Sequence, residues 1–187
     1  MEIAHDLVGK YVVTCFDHTL TVGKIVETEA YDGRRDRACH AYQKRTPRTE
    51  VMFQEGGRAY VYLCYGIHRL FNIVTNQAGF ADAVLIRAIE PVIGIDQMMK
   101  RRGLKTLNAK LTAGPGVLSQ AMGIDLSHNN KLLFNNDFFI AMNSENPGDI
   151  ISDRRVGVDY AGEDAKLPWR FFIDQHPCVS KLKQKAL

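Results

Sequence analysis

Two carboxylates, Glu27 and Glu29, stand two residues apart in the run Ile-Val-Glu-Thr-Glu-Ala-Tyr at 25–31. In an extended chain, alternation sends Ile25, Glu27, Glu29 and Tyr31 to one face and Val26, Thr28 and Ala30 to the other. A solvated acidic edge strand would account for this pattern. So would a strand that holds one carboxylate as a general base beside an aromatic ring. Arg87 interrupts a run at 83–90 that is apolar nearly throughout. A buried guanidinium there needs an acidic or oxygen partner, and a glutamate of the first run is the obvious candidate. Between these runs, Ala-Tyr-Val-Tyr-Leu-Cys-Tyr-Gly at 59–66 places Tyr60, Tyr62 and Cys64 on one strand face and leaves Tyr65 at the turn that Gly66 makes. A tyrosine on a hairpin tip beside a basic surface can wedge between bases. His40 lies among Arg and Lys residues, whose charge holds its pKa down and favours a neutral ring able to stack. Together these groups predict a site that stacks a flat ring and hydrolyses a bond next to it.

The elements that must position these groups follow from pattern. Residues 7–27 predict two strands around a break at Asp17-His18, and the second extends to the Asp32-Gly33 turn. The segment 34–49 has little periodicity and reads as a long loop or short helix of the kind that often carries function. Val51, Met52 and Phe53 form an apolar anchor behind it. Strands follow at 59–65, 71–75 and 83–90, the last apolar nearly throughout and so expected to be covered on both faces. Asn72 is polar within an apolar run and needs partners if buried. Pro91 is expected to start a helix over 92–102, with Ile95, Met98 and Met99 as core residues and Gly103 as its stop. Gly114-Pro115-Gly116 leads into a second helix over 117–122. Such a turn can hold a phosphate, although it lacks the lysine and hydroxyl of a P-loop. A strand is expected at 135–142, a loop at 143–149, packing of the single Trp169 in a late motif, and a frayed basic tail at 181–187.

A chain of 187 residues fits one domain, or at most two small ones, and can bury its own core. No repeat, linker or low-complexity segment divides it. Its 45% hydrophobic and 24% charged residues are ordinary for a soluble globular protein. It has no apolar run of about 18 residues to span a membrane, and its start lacks the pattern of a signal peptide. Cys15, Cys39, Cys64 and Cys178 are far apart and form no Cys-x-x-Cys pair. That spacing argues against a zinc ribbon or a disulfide framework and for reduced thiols in an intracellular protein. The net charge of +3 is a weak hint of an anionic partner, but the distribution says more. Arg34, Arg35, Arg37, Lys44, Arg45 and Arg48 face Asp36 alone, and Lys100, Arg101, Arg102, Lys105 and Lys110 form a second cluster. Either is accounted for by a solvated face, yet the aromatics flanking the first favour nucleic acid as the partner.

These residues resemble the alkyladenine (3-methyladenine) DNA glycosylase family over nearly the whole chain, roughly 7–174. The resemblance rests on Glu-Thr-Glu-Ala-Tyr at 27–31, Arg-Thr-Pro-Arg at 45–48, Tyr-Val-Tyr-x-x-Tyr-Gly at 60–66, Asn72, Leu-Ile-Arg-Ala-Ile-Glu-Pro at 85–91 and Arg-Val-Gly-Val at 155–158. It implies an α+β fold, one compact mixed domain with a curved antiparallel sheet and surrounding helices. It implies a monofunctional base-excision repair enzyme that acts as a monomer on double-stranded DNA containing damaged purines, without metal or cofactor. Glu29 then matches the general base that activates water, Arg87 an arginine that helps hold the water, and Val158 a position whose backbone carbonyl touches it. Tyr31, His40 and Tyr62 match an aromatic cage for a flipped base, and Asn72 a side chain that crowds the amino group of guanine. Tyr65 matches the residue inserted into the DNA, with Arg34, Arg37, Arg45, Arg48 and His68 as further DNA-binding candidates. The chain departs from the usual pattern at Arg34-Arg35, Arg69-Leu70 and Val117.

Two other classes fit parts of the pattern. A non-catalytic nucleic-acid module would use the tyrosines to stack bases and Glu29 as a salt-bridge partner. A carbohydrate hydrolase would use Glu27 and Glu29 as a carboxylate pair, but two residues on one strand face approach a sugar from the same side, which suits that mechanism poorly.

Overall fold

The longest strand, β2 (Thr19–Tyr31), pairs with three others and carries Glu27, Glu29 and Tyr31. The computed structural model describes residues 1–180. A short helix, α1 (Glu2–Asp6), precedes β1 (Tyr11–Phe16), which turns into β2 at Asp17 and His18. Their φ values of 50° and 58° suit a primed hairpin turn, whose twist matches that of the flanking strands. β1 covers the first half of one edge of β2, and β6 (Phe138–Ala141) lies beyond β1. β8 (Arg170–Ile173) takes over that edge at Glu27, Thr28 and Glu29, with β7 (Ile150–Asp153) outside it. The other edge pairs with β5 (Ala83–Ile93), followed by β4 (His68–Val74) and β3 (Ala59–Cys64). All these pairings are antiparallel, so one curved sheet with flanking helices makes an α+β fold.

With partners on both edges, β2 is central, and every residue from Ile25 to Ala30 is buried. The acidic run is therefore not a solvated edge. The β2–β5 ladder shifts register on both sides of Glu27, where Val26 finds no ladder partner on β5 and Arg87 none on β2. Bulges of this kind bend a strand and re-aim its side chains. Here one brings Arg87 between the two glutamates.

Pro91 does not start a helix. It remains in β5 opposite Gly23, at a register shift that accommodates a residue without an N–H. The helix α2 (Ile95–Arg102) begins after Gly94 and stops at Gly103, both with left-handed φ. The helix α3 (Pro115–Met122) has its proline in the first turn and Gly123 as its C-cap. Met98, Leu118 and Met122 pack with Val12, Ile25, Val26, Ile86 and Ile89 into the main core. The segment 34–49 forms successive turns without a helix and is held by its own hydrogen bonds. The expected strand at 135–142 is confined to Phe138–Ala141. Among the described residues no helix is long and apolar enough to cross a membrane. The tail at 181–187 lies outside the described residues.

Gly94 joins β5 to α2 at φ 77°, and a Cβ there would collide with the Leu20 carbonyl oxygen. Both strain and clash oppose a side chain. Gly94→Ala is expected to cost about 1–3 kcal/mol, seen as a lower urea midpoint at unchanged slope. An unaltered midpoint would contradict this account of the junction.

Candidate active site

A cleft of about 1080 Å³ opens over the second half of β2. Glu29, Tyr31, Arg87 and Asn72 line its depth, the 37–48 loop and β3 line one side, and the start of α3 and Val156–Val158 complete it. Glu29 is fully buried. Its Oε1 accepts the Val156 amide N–H at 2.7 Å and its Oε2 accepts the Tyr31 hydroxyl at 2.8 Å. The Arg87 Nη1 stands 3.3 Å from Oε1. Burial raises the Glu29 pKa above the usual carboxylate value, and Arg87, the Val156 amide and Tyr31 each counter part of that rise. The result is an ionisable carboxylate with fixed direction and heightened proton affinity, suited to take a proton from water.

Glu27 has a different environment. It is fully buried and does not line the cleft. Its Oε1 accepts Arg87 Nε at 2.9 Å, Arg170 Nε at 2.6 Å and the Ser180 hydroxyl at 2.9 Å, and its Oε2 accepts the Ser180 amide at 2.7 Å. A carboxylate so enclosed cannot share a sugar with Glu29, which removes the carboxylate-pair reading. The expected glutamate partner of Arg87 is thus two glutamates. Their charges, set against burial, raise the Arg87 pKa, so it stays protonated.

The aromatic side of the cleft is built on β3. Tyr60 and Tyr62 share a face, with ring centroids 5.3 Å apart, and His40 meets Tyr62 edge-on at 4.6 Å. The His40 Nδ1 lies 3.2 Å from the Tyr60 hydroxyl. Burial first, then the charges of Arg48 and Lys44, push the His40 pKa down to about 4. Burial raises the hydroxyl pKa of Tyr31, Tyr60 and Tyr62. All four rings are therefore neutral at pH 7. Asn72 is buried, and its Nδ2 donates to the Tyr60 carbonyl at 3.1 Å, which supplies the partner its position requires and fixes its orientation.

Arg155 ties these parts together, and sequence reasoning gave it no role. Its side chain is wholly buried, with the guanidinium 4.8 Å from the Tyr31 ring centre and 5.1 Å from that of Trp169. It donates to the Ala30 carbonyl at 2.9 Å and, through both terminal nitrogens, to the Asp36 carboxylate. Asp36 in turn accepts the Ala38 amide N–H at 2.9 Å, two residues before His40. One guanidinium thus joins Tyr31, the His40 loop and the segment that offers the Val156 amide. The signal available beforehand was a lone acid, Asp36, in a basic stretch. No pattern could have announced a backbone amide.

Val158 lines the cleft and is buried, and its carbonyl accepts the Ala161 N–H at 2.9 Å. The β3–β4 hairpin presents Tyr65 at 89% exposure. Tyr65 and Gly66 have φ of 49° and 72°, and a bulky residue held in that region is strained. Arg37, Arg48 and His68 line the cleft, with Arg48 5.0 Å over the Tyr62 ring. Arg34 and Arg45 do not line it. Arg34 pairs with Asp32 and Asp82, and Arg45 with Glu50. His68 packs against Gly116 at the start of α3, so the Gly-Pro-Gly turn faces the cleft. Of the departures from the family pattern, Leu70 and Val117 line the cleft, whereas Arg69 is exposed outside it.

Because the folded-state pKa of His40 lies below its ordinary 6.5, the neutral ring contributes stability that is complete above pH 6.5 and lost as pH falls toward 4. A proton NMR titration of the His40 ring should show a midpoint near 4. A midpoint at 6 or above would refute the neutral-cage description.

Comparison with known proteins gives this geometry its setting. A family model described as methylpurine-DNA glycosylase (MPG) matches residues 1–177. A protein of Natranaerobius thermophilus named "Putative 3-methyladenine DNA glycosylase" is 44% identical over 184 residues, covering 96% of this chain and 93% of its own. Proteins of the same name from Chlorobium luteolum and Methanocella arvoryzae are 44% and 42% identical, each covering 97% of this chain and 91% and 90% of their own. The chain belongs to the methylpurine-DNA glycosylase family and is a hydrolase of N-glycosyl bonds in DNA, at work in base-excision repair.

Proposed function

We propose that this enzyme flips a damaged purine nucleotide out of duplex DNA, seats the base against Tyr31, His40 and Tyr62, and hydrolyses its N-glycosidic bond with a water activated by Glu29, leaving an abasic site. The observation that carries this reading is the state of Glu29: buried, oriented by Tyr31, Val156 and Arg87, and lining a cleft of about 1080 Å³, which has room for a nucleotide. Its substrates are alkylated or deaminated purines of the 3-methyladenine, 7-methylguanine, hypoxanthine and ethenoadenine class. The scheme uses no metal or cofactor. Every assigned group lies in or around one cleft, which supports action as a monomer, on DNA inside the cell.

The chemistry is a substitution at the deoxyribose C1′. The Glu29 carboxylate accepts a proton from water while the water oxygen attacks C1′, the C1′–N bond breaks, and its electron pair leaves with the base. The sugar gains oxocarbenium character, which the carboxylate charge opposes favourably. A cationic base such as 3-methyladenine departs as a neutral molecule, so it needs no acid. Arg87 and the Val158 carbonyl hold the water. The carbon cannot be reached inside a duplex, so the nucleotide is extruded at a cost of a few kcal/mol, least for a weakened pair. Stacking on the aromatic wall returns about 1–3 kcal/mol per contact. Asn72, fixed by the Tyr60 carbonyl, crowds the amino group that normal guanine carries. Tyr65 fills the space the nucleotide leaves, and Arg37, Arg48 and His68 meet the backbone.

A labelled duplex with one hypoxanthine or ethenoadenine, and methylated DNA in parallel, treated with the protein and EDTA and then alkali, should be cut at the lesion. DNA binding with no scission on any substrate would return the chain to a binding-module role. Glu29→Gln is expected to bind lesion DNA with excision lowered by about 10²–10⁴-fold, and near-normal excision by that variant would overturn the assignment of the base. Tyr65→Ser should lose lesion affinity and flipping, read by fluorescence of ethenoadenine. Equal affinity in the two proteins would count against the wedge.

A further inference from the structure

We propose that Glu27 is a positioning residue for the hydrolytic step: it holds Arg87 by its Nε edge, turns the remaining N–H groups toward Glu29 and the cleft, and shares the arginine's charge so that Glu29 is not fully paired. This rests on the proposed role of Glu29 as base. The geometry is one-sided. Arg87 Nε is 2.9 Å from Glu27 Oε1 and 3.1 Å from the Ser180 hydroxyl, whereas its Nη1 is 3.3 Å from Glu29 Oε1. Glu27, fully buried behind Arg87 and not itself part of the cleft lining, has no access to substrate. Arg87 does line the cleft. The bulge around Glu27 lets one guanidinium reach both carboxylates.

Ser180 closes the arrangement. Its hydroxyl bridges Glu27 Oε1 and Arg87 Nε, and its amide donates to Glu27 Oε2. Arg170 holds the same Glu27 oxygen from β8 and retains Asp153 at 3.7 Å as a second partner. Glu29 itself is faced by Glu27 and Tyr31 from β2, by Arg87 from β5, and by Arg155 and the Val156 amide from the segment after β7. Among these, Glu27 raises the proton affinity of Glu29 while Arg87 lowers it. Loss of the Glu27 charge removes the first influence and strengthens the second, because Arg87 is then free to settle on Glu29. Both changes move Glu29 toward a weaker base.

The test is single-turnover base release from hypoxanthine duplex across pH 4–8, for the parent chain, Glu29→Gln, Glu27→Gln and Ser180→Ala, with lesion affinity measured in parallel. The expected result for Glu27→Gln is retained affinity, a release rate lower by about 10- to 100-fold, and an acid limb displaced to lower pH. An unchanged rate, or a lower rate with the limb unmoved or displaced upward, overturns the proposal, since a merely structural role would not shift that limb downward. Ser180→Ala is expected to slow release about fivefold, the rate equivalent of one hydrogen bond, at unchanged affinity. If Glu27→Gln fails to fold, this variant decides, and a parental rate overturns the proposal. Excision by Glu29→Gln would instead sink the assignment of Glu29, whereas an inactive Glu29→Gln beside a parental Glu27→Gln would sink the positioning role alone.

Discussion

Two carboxylates on the most enclosed strand of the sheet exist there only because guanidinium groups meet them. An ion taken out of water loses several kcal/mol even after relaxation, and it recovers that loss only through close, well-directed partners. Glu27 is met by Arg87 and Arg170, and Glu29 by Arg87, an amide and a phenol. Apart from the phenol, which β2 itself carries, these partners come from β5, β8 and the segment after β7, so the strand cannot be buried until all of them have arrived. The sheet's branching at β2, where β8 replaces β1 as neighbour, meets that demand.

The same arrangement divides the cleft electrically. Its buried lining carries the charges of Glu29 and Arg87, its half-buried lining carries the neutral rings of Tyr31, His40 and Tyr62, and its exposed lining carries Arg37, Lys44 and Arg48. A nucleotide has the matching order: a sugar that becomes positive, a flat base and an anionic backbone. Neutral walls matter because a flat ring can stack on them without meeting a fixed positive charge. Burial, with help from nearby arginine and lysine, keeps the imidazole uncharged. Arg155 lies outside the cleft lining, against the Tyr31 ring, where its charge is offset by Asp36.

Much of this was legible in the residues. The spacing of Glu27, Glu29 and Tyr31 pointed to chemistry, Gly66 placed Tyr65 on a tip, and the need of Arg87 for an acid was met. Simple alternation did not distinguish the two glutamates, because their difference comes from a bulge and from partners distant in sequence. Pro91 looked like a helix start because its ring suits a first turn, yet a register shift let the strand continue through it. The tethering of Arg155 to Asp36 spans 119 residues, and no local pattern encodes a pairing of that length. The family motifs contain many of the residues that line the cleft, but also Glu27 and Arg45, which do not, and the side chains and amides that hold the lining had to be read from geometry.

The closure of Glu27 by Ser180 joins positions 153 apart in the chain. During synthesis β2 leaves the ribosome long before its last partner exists. Until then its two carboxylates have no buried place to occupy, and the strand must remain solvated or wait in partly paired form. Contacts of such long range are slow to form and come late in folding. Here the cluster of Glu27, Arg87, Glu29 and Ser180 is assembled from both ends of the described chain, so the charged lining of the cleft arises only with the finished fold.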